Sequence, residues 1–232
     1  MSLSSQAFTR IRHAIVSGEL DFGERLSEMQ IAEALGMSKA PVRTAFFKLR
    51  DIRLVTIVPQ AGTYVFSPGP EDVLEMSTFR AVLEKAGMRL SMQQAAAVVL
   101  DTLEQTVYRM EKALTRGNWA QYETADREFH EVFMRESGNS FLPQAYDLTA
   151  SSITALRVRL QGGEGDYRAR SFGEHKLILA ELKAGHLDEA ARILEDHIMV
   201  INESGLVLPP RDTPRAKART RSIEEYKAIF GR

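Results

Sequence analysis

The stretch from Ser27 to Gly62 constrains this chain more than any other. Ser27-Glu28-Met29-Gln30 places a hydroxyl at an N-cap with a Gln three residues on, a capping box that opens the apolar run Met29, Ile31, Ala32 and Leu35. Gly36 suits the left-handed residue that ends such a helix, and Ser38 can cap a second one running through Pro41, Val42, Ala45, Phe46 and Leu49. Lys39, Arg43, Lys48, Arg50 and Arg53 are opposed on this second helix only by Asp51, while Val42, Phe46 and Leu49 recur on its other face. Leu54 to Val58 and Thr63 to Phe66 are β-rich runs separated by Pro59-Gln60-Ala61-Gly62, which reads as a hairpin. Helix, tight turn, helix and hairpin in that order predict a winged helix-turn-helix.

Groove geometry explains what such an arrangement is for. An α-helix fits the major groove of duplex DNA, with its first residues at base edges and its cations at phosphates. A glycine in the hairpin turn permits close backbone approach to the sugar-phosphate chain. On this reading the DNA contacts are Ser38, Lys39, Arg43, Thr44, Lys48, Arg50 and Gly62. The alternative is a helical hairpin with a solvated basic face.

The same residues resemble a known family. Gly23-Glu24-Arg25-Leu26-Ser27-Glu28, Ile31 to Ser38, Pro41-Val42-Arg43 and Leu49 are similar to the DNA-binding domain of GntR-type bacterial transcription regulators. Phe22 stands where that family usually has Pro, Lys39 replaces a common Arg, and Thr44 occupies a frequent Glu position. Arg53 falls where a Gly usually ends the recognition helix.

A length of 232 residues suits two domains, each able to bury a core. The formal net charge of −1 conceals a division. Residues 1–66 carry 8 Lys/Arg against 6 Asp/Glu, residues 67–208 carry 15 against 22, and residues 209–232 carry 7 against 3. The DNA-facing end is basic and the middle acidic, and local charge is what steers a protein to phosphate. The absence of cysteine excludes disulfides and thiolate metal sites. No apolar run is long enough to span a bilayer, and the first residues lack the pattern of a secretory signal, so a soluble cytoplasmic protein is expected.

Phe8, Ile11, Ile15 and Val16 place a first helix over residues 5–17, packed behind the helix-turn-helix. Ser67-Pro68-Gly69-Pro70 is the clearest break, a linker at 67–70 between a winged helix over 1–66 and a second domain over 71–208. Throughout that second domain the pattern is helical: about 71–91, 96–115, 118–137, 140–160, 171–184 and 187–207, punctuated by glycines. That predicts a mainly α protein whose second domain is an all-α bundle. Residues 209–232 form a basic tail with Arg211, Arg215, Lys217, Arg219 and Arg221, then an amphipathic Ile223 to Phe230. Its composition fits a solvated tail and an arm that docks or touches DNA equally well.

Within the bundle, Asp126 and His130 lie four residues apart, about 40° around a helix axis. His175 and His197 fall on later helices, while His13 and the turn residue His186 read as surface positions. Three imidazoles and one carboxylate suit a borderline divalent ion such as zinc or nickel. Taken singly, each histidine also reads as an ordinary half-buried helix residue. Arg80 can hold a carboxylate through paired hydrogen bonds, or pair with Glu84 one turn on. Trp119, Phe129 and Phe133 read as core.

Residues 71 to 208 resemble the FCD ligand-binding domain of the FadR branch of the GntR family. The resemblance rests on Phe79-Arg80-Ala81-Val82-Leu83-Glu84, Asp126-Arg127-Glu128-Phe129-His130 and Gly138 to Leu142, with His175 and His197 at the remaining histidine positions. It implies a divalent metal on Asp126, His130, His175 and His197 beneath an effector pocket. The expectation is therefore a homodimeric repressor that binds palindromic operator DNA and is controlled by a small organic acid at Arg80. The competing readings are a metal-dependent hydrolase fused to a DNA-binding module, with Glu131 or Glu174 as base, and a regulator whose metal is purely structural.

Overall fold

Local sequence rules account for most of the elements in the computed structural model, which describes residues 1–160, 166–200 and 219–231. Helix α1 (Leu3–Val16) buries Ala7, Ile11, Ala14 and Ile15. Helix α2 (Glu28–Ala34) starts at Ser27, whose hydroxyl accepts from Gln30 N. The return arm of the expected capping box is missing, and Gln30 Oε1 is buried without a hydrogen-bond partner. Gly36 at φ +67 turns the chain as expected. Helix α3 (Lys39–Asp51) follows with Ser38 at its N-cap, but the Ser38 hydroxyl makes no capping bond.

The wing consists of β2 (Val55–Val58) and β3 (Gly62–Val65), antiparallel with Val58 opposite Gly62. A short β1 (Arg25–Leu26) pairs with the other edge of β3, giving the order β1-β3-β2. Arg53, between α3 and β2, adopts φ +57, a left-handed conformation that costs a side-chain-bearing residue energy and that glycine would relieve.

The chain divides into two compact units. The first comprises residues 1–73, 148–162 and 207–232. Its core joins Ile11, Ile15, Leu20, Ile31, Val42, Phe46, Leu49 and Val65 to Tyr226 and Phe230 from α9 (Ile223–Phe230), near the end of the chain. The described part of the basic tail is thus docked. Arg221 closes a two-point ion pair on buried Glu24 at 2.6 and 3.1 Å and donates to Glu19 O, and Arg219 O accepts from Arg25 N. Residues 209–218, with Arg211, Arg215 and Lys217, lie outside the described residues, as do the glycine-rich stretch 161–165 and the expected helical end at 201–207. Arg159, near the end of α6 (Phe141–Leu160), donates to Ile15 O and Leu20 O and lies 3.9 Å over the Phe22 ring. It reinforces the C-terminus of α1, where Ile15 O also accepts from Gly18 N at 3.3 Å.

The second unit spans 74–147 and 163–206, and its described residues form a helical bundle. Helix α4 (Pro70–Thr115) opens with Pro at its first position, where a missing N–H costs nothing, and Asp72 accepts from Gly69 N. The two helices expected over 71–91 and 96–115 are both present, joined end to end within α4 across a break in helical geometry at Ala95 (φ −147, ψ 40). Helix α5 (Trp119–Arg135) is capped by Asn118 and buries Tyr122, Asp126, Phe129, His130 and Phe133. Helices α7 (Asp166–Ala184) and α8 (Leu187–Met199) pack together across Gly185, which sits at φ +82. No described helix is long and apolar enough to cross a membrane.

Candidate nucleic-acid interface and metal centre

In the first unit α3 buries Val42, Ala45, Phe46 and Leu49 and leaves Ser38, Lys39, Arg43, Thr44, Lys48 and Arg50 exposed. The amphipathic split that the sequence predicts therefore produces an outward face with four cations. The free N–H groups of the first helical turn and Lys39 make this end electropositive, and no acid stands in that turn. Arg43 is gripped by Glu28 through both carboxylate oxygens, and Arg50 pairs with Asp51 and lies over the exposed Phe47 ring. Thr44 spends its hydroxyl hydrogen on Ala40 O, so what it can offer a base edge is its methyl, which suits thymine, or its hydroxyl oxygen as an acceptor.

At the wing, the left-handed turn residue is Gln60 (φ +61), and Gly62 is the first residue of β3 at φ +127. What comes close to Gly62 is the Arg25 side chain: a Cβ there would stand 3.1 Å from Arg25 Nε. Arg25, Ser27, Glu28, Phe46, Gly62 and Thr63 line a cleft of about 320 Å³ between the wing and the helices. In the sequence Arg25 stands out only as part of a motif, because nothing local shows that it pairs with β3.

In the second unit His130 of α5, His175 of α7 and His197 of α8 converge, each buried. His130 Nε2 lies 3.2 Å from His175 Nε2 and 3.3 Å from His197 Nε2. The outer nitrogens of two rings are held by carboxylates. His130 Nδ1 is 2.7 Å from Glu84 Oε2, and His197 Nδ1 is 2.8 Å from Glu174 Oε2. A carboxylate accepts, so each of these rings donates from Nδ1, and in the neutral imidazole Nε2 is then a lone pair turned inward. Two lone pairs facing at 3.3 Å repel unless a cation lies between them. Metal–nitrogen bonds of about 2.0–2.1 Å in tetrahedral array separate neighbouring nitrogens by about 3.3 Å, so the trio fits a divalent ion.

Asp126, fully buried on the same face of α5 as His130, is not part of this trio, although its Oδ1 stands 3.6 Å from His175 Nε2. Arg80 is 4% exposed and its Nε donates to Glu84 Oε1, the pairing that the sequence left open against a pocket-facing role. Phe129 packs its ring 4.4 Å from that of His175 and, like Phe133, is core. Trp119 departs from expectation: it is 44% exposed and stacked under Arg168 at 4.2 Å, because it opens α5 at a surface turn. His186 caps α8 exposed beside Glu181, as expected. Neither proposed base is aimed inward. Glu174 holds the outer nitrogen of His197 and also accepts from Arg170, and Glu131 pairs with Arg127.

Comparison with known proteins identifies the family of each part of the chain. Residues 3–65 match the family described as bacterial regulatory proteins, gntR family, and residues 75–199 match the FCD domain. The chain is similar to the HTH-type transcriptional regulator YdhC of Bacillus subtilis (strain 168), 27% identical over 194 residues, covering 83% of this chain and 86% of that one. It is also similar to the "Probable D-xylose utilization operon transcriptional repressor" of Paenarthrobacter nicotinovorans, 28% identical over 201 residues, 85% of this chain and 86% of that one. Among solved structures, Escherichia coli McbR/YncC shares the fold with a TM-score of 0.73 at 23% identity, over 86% of this chain and 94% of that one. These families and relatives are transcription regulators and not enzymes.

Proposed function

Because the chain belongs to the GntR family of bacterial transcription regulators and carries an FCD domain, we propose that it is a repressor whose operator binding is set by a small carboxylate held beside a divalent metal. The DNA-binding part is residues 1–66, with Lys39, Arg43, Lys48 and Arg50 meeting phosphates and bases, and the linker is 67–70. The effector-binding and dimerising part is 71–208. A repressing role is favoured by the name of the D-xylose operon relative. Operator DNA as partner also puts the protein in the cytoplasm. One winged helix buries little DNA surface, and a homodimer reading two half-sites supplies the discrimination that one lacks.

The observation that carries the effector reading is the inward-facing Nε2 trio with a buried arginine close by in the hydrogen-bond chain Arg80–Glu84–His130. His130, His175 and His197 would hold the ion, with Asp126 as fourth ligand, and imidazole donors favour zinc or nickel. A bound ion supplies Lewis-acid attraction for an anionic oxygen, and Arg80 supplies the guanidinium that recognises a carboxylate. A ligand controls DNA binding only through different affinities for the two states of the protein.

A thermal-shift screen of metal-loaded and chelated protein against hydroxy, keto and sugar acids tests this. One acid should raise the melting temperature only when metal is present. Stabilisation by metal with no response to any acid would favour a structural metal instead.

A further inference from the structure

We infer that Glu84 is a shared acceptor linking Arg80 to the outer nitrogen of His130, Nδ1, so that an anion on Arg80 and a metal on the histidines strengthen each other's binding. This rests on the proposed reading of the trio as a metal centre and of Arg80 as the anion-binding group. Arg80 and Glu84 stand one turn apart on α4. Arg80 Nε donates to one oxygen of Glu84, and the other oxygen accepts from His130 Nδ1 at 2.7 Å. All three are buried, with Glu84 and His130 at 0% exposure.

One carboxylate therefore divides its charge between a guanidinium and an imidazole in a medium where charges are poorly screened. The division sets how strongly His130 binds metal. Glu84 polarises the Nδ1–H bond and raises the basicity of Nε2, which is how an outer carboxylate strengthens a histidine ligand. Arg80 works against this twice: it draws on the Glu84 charge, and its own positive charge disfavours a second cation nearby. An anion that engages Arg80 offsets both effects, and Glu84 then acts on His130 alone. Linkage makes the effect reciprocal, so bound metal raises anion affinity by the same factor.

The second carboxylate–histidine pair gives the contrast. Glu174 holds His197 but shares its charge with Arg170, whose side chain is 54% exposed, so solvent screens changes there. The coupling is carried by the buried line through Glu84.

The test is the Zn²⁺ dissociation constant, measured by competition with a chelating dye, for wild type, Glu84→Gln and Arg80→Gln, with melting curves to confirm folding. Zn²⁺ alone is the probe. Glu84→Gln should weaken binding by about 10- to 100-fold, whereas Arg80→Gln should tighten it by at least about fivefold. An ion pair that serves only to hold α4 together predicts the same direction for both variants, and that result, or no change in either, overturns the coupling. Should Glu84→Gln not fold, Arg80→Gln decides alone: weaker or unchanged Zn²⁺ binding overturns it. Failure of the wild type to bind Zn²⁺ would instead remove the metal centre, and the coupling with it.

Discussion

Glu28 grips Arg43 through both carboxylate oxygens, at 3.0 Å to Nε and 2.8 Å to Nη2. The pair joins the first turn of α2 to the first half of α3, and it uses one edge of the guanidinium while the side chain remains 62% exposed. An arginine so held presents its remaining N–H groups in a fixed direction, which suits recognition of a guanine edge.

Arg43→Ala should accordingly lower operator affinity by about 1–3 kcal/mol, roughly 5- to 150-fold, without changing the melting temperature. Binding measured at one fixed salt concentration checks this. An unchanged affinity would remove Arg43 from the interface. Lys48→Ala, by contrast, should weaken all duplexes alike and reduce the salt slope by about one phosphate contact.

His175→Ala should abolish stoichiometric metal in the purified protein, read by elemental analysis. Its ring sits between Phe129 and the other two imidazoles and is fully buried. A full metal complement in the variant would exclude His175 as a ligand.

Arg53→Gly should stabilise the first unit by about 1 kcal/mol, because the residue is exposed and lies at φ +57. Denaturant unfolding measures it. A loss of stability would mean that the Arg53 side chain contributes more than its backbone costs.

Arg221→Ala should destabilise the first unit by about 3–5 kcal/mol, since it strands the buried Glu24 carboxylate. The same docking has a pH signature. Burial pushes the Tyr226 phenol up to about 12 from its ordinary 10. A folded value above the unfolded one means that this stabilisation is complete below pH 10 and is lost as pH rises from 10 to about 12. An absorbance titration should show a late-titrating tyrosine component, and Tyr226→Phe should reduce it by one residue.

How far the sequence reveals the structure depends on range. Ser27, Gly36, and the spacing of Val42, Phe46 and Leu49 are local signals, and they located α2, the turn and α3 with their buried faces. His130, His175 and His197 were legible by residue type and by a family resemblance, and the bundle brings them together. The carboxylates that orient them were not, because Glu84 is 46 residues from His130 and reads locally as the partner of Arg80. Docking of α9 was equally hidden. Tyr226 reaches Arg25 across 201 residues, and an amphipathic octapeptide does not declare what it packs against. The pairing of β1 with β3 rests on two residues with no alternating pattern to reveal it.

Selection of duplex DNA from a random pool, with titration of the selected duplex by carboxylic acids in the presence and absence of metal, tests the central claim most directly. A metal-dependent carboxylate sensor should enrich a two-fold-symmetric sequence whose complex weakens with one acid, and only when the protein carries metal. Enrichment of a duplex whose affinity is the same with every acid, loaded or chelated, would contradict it.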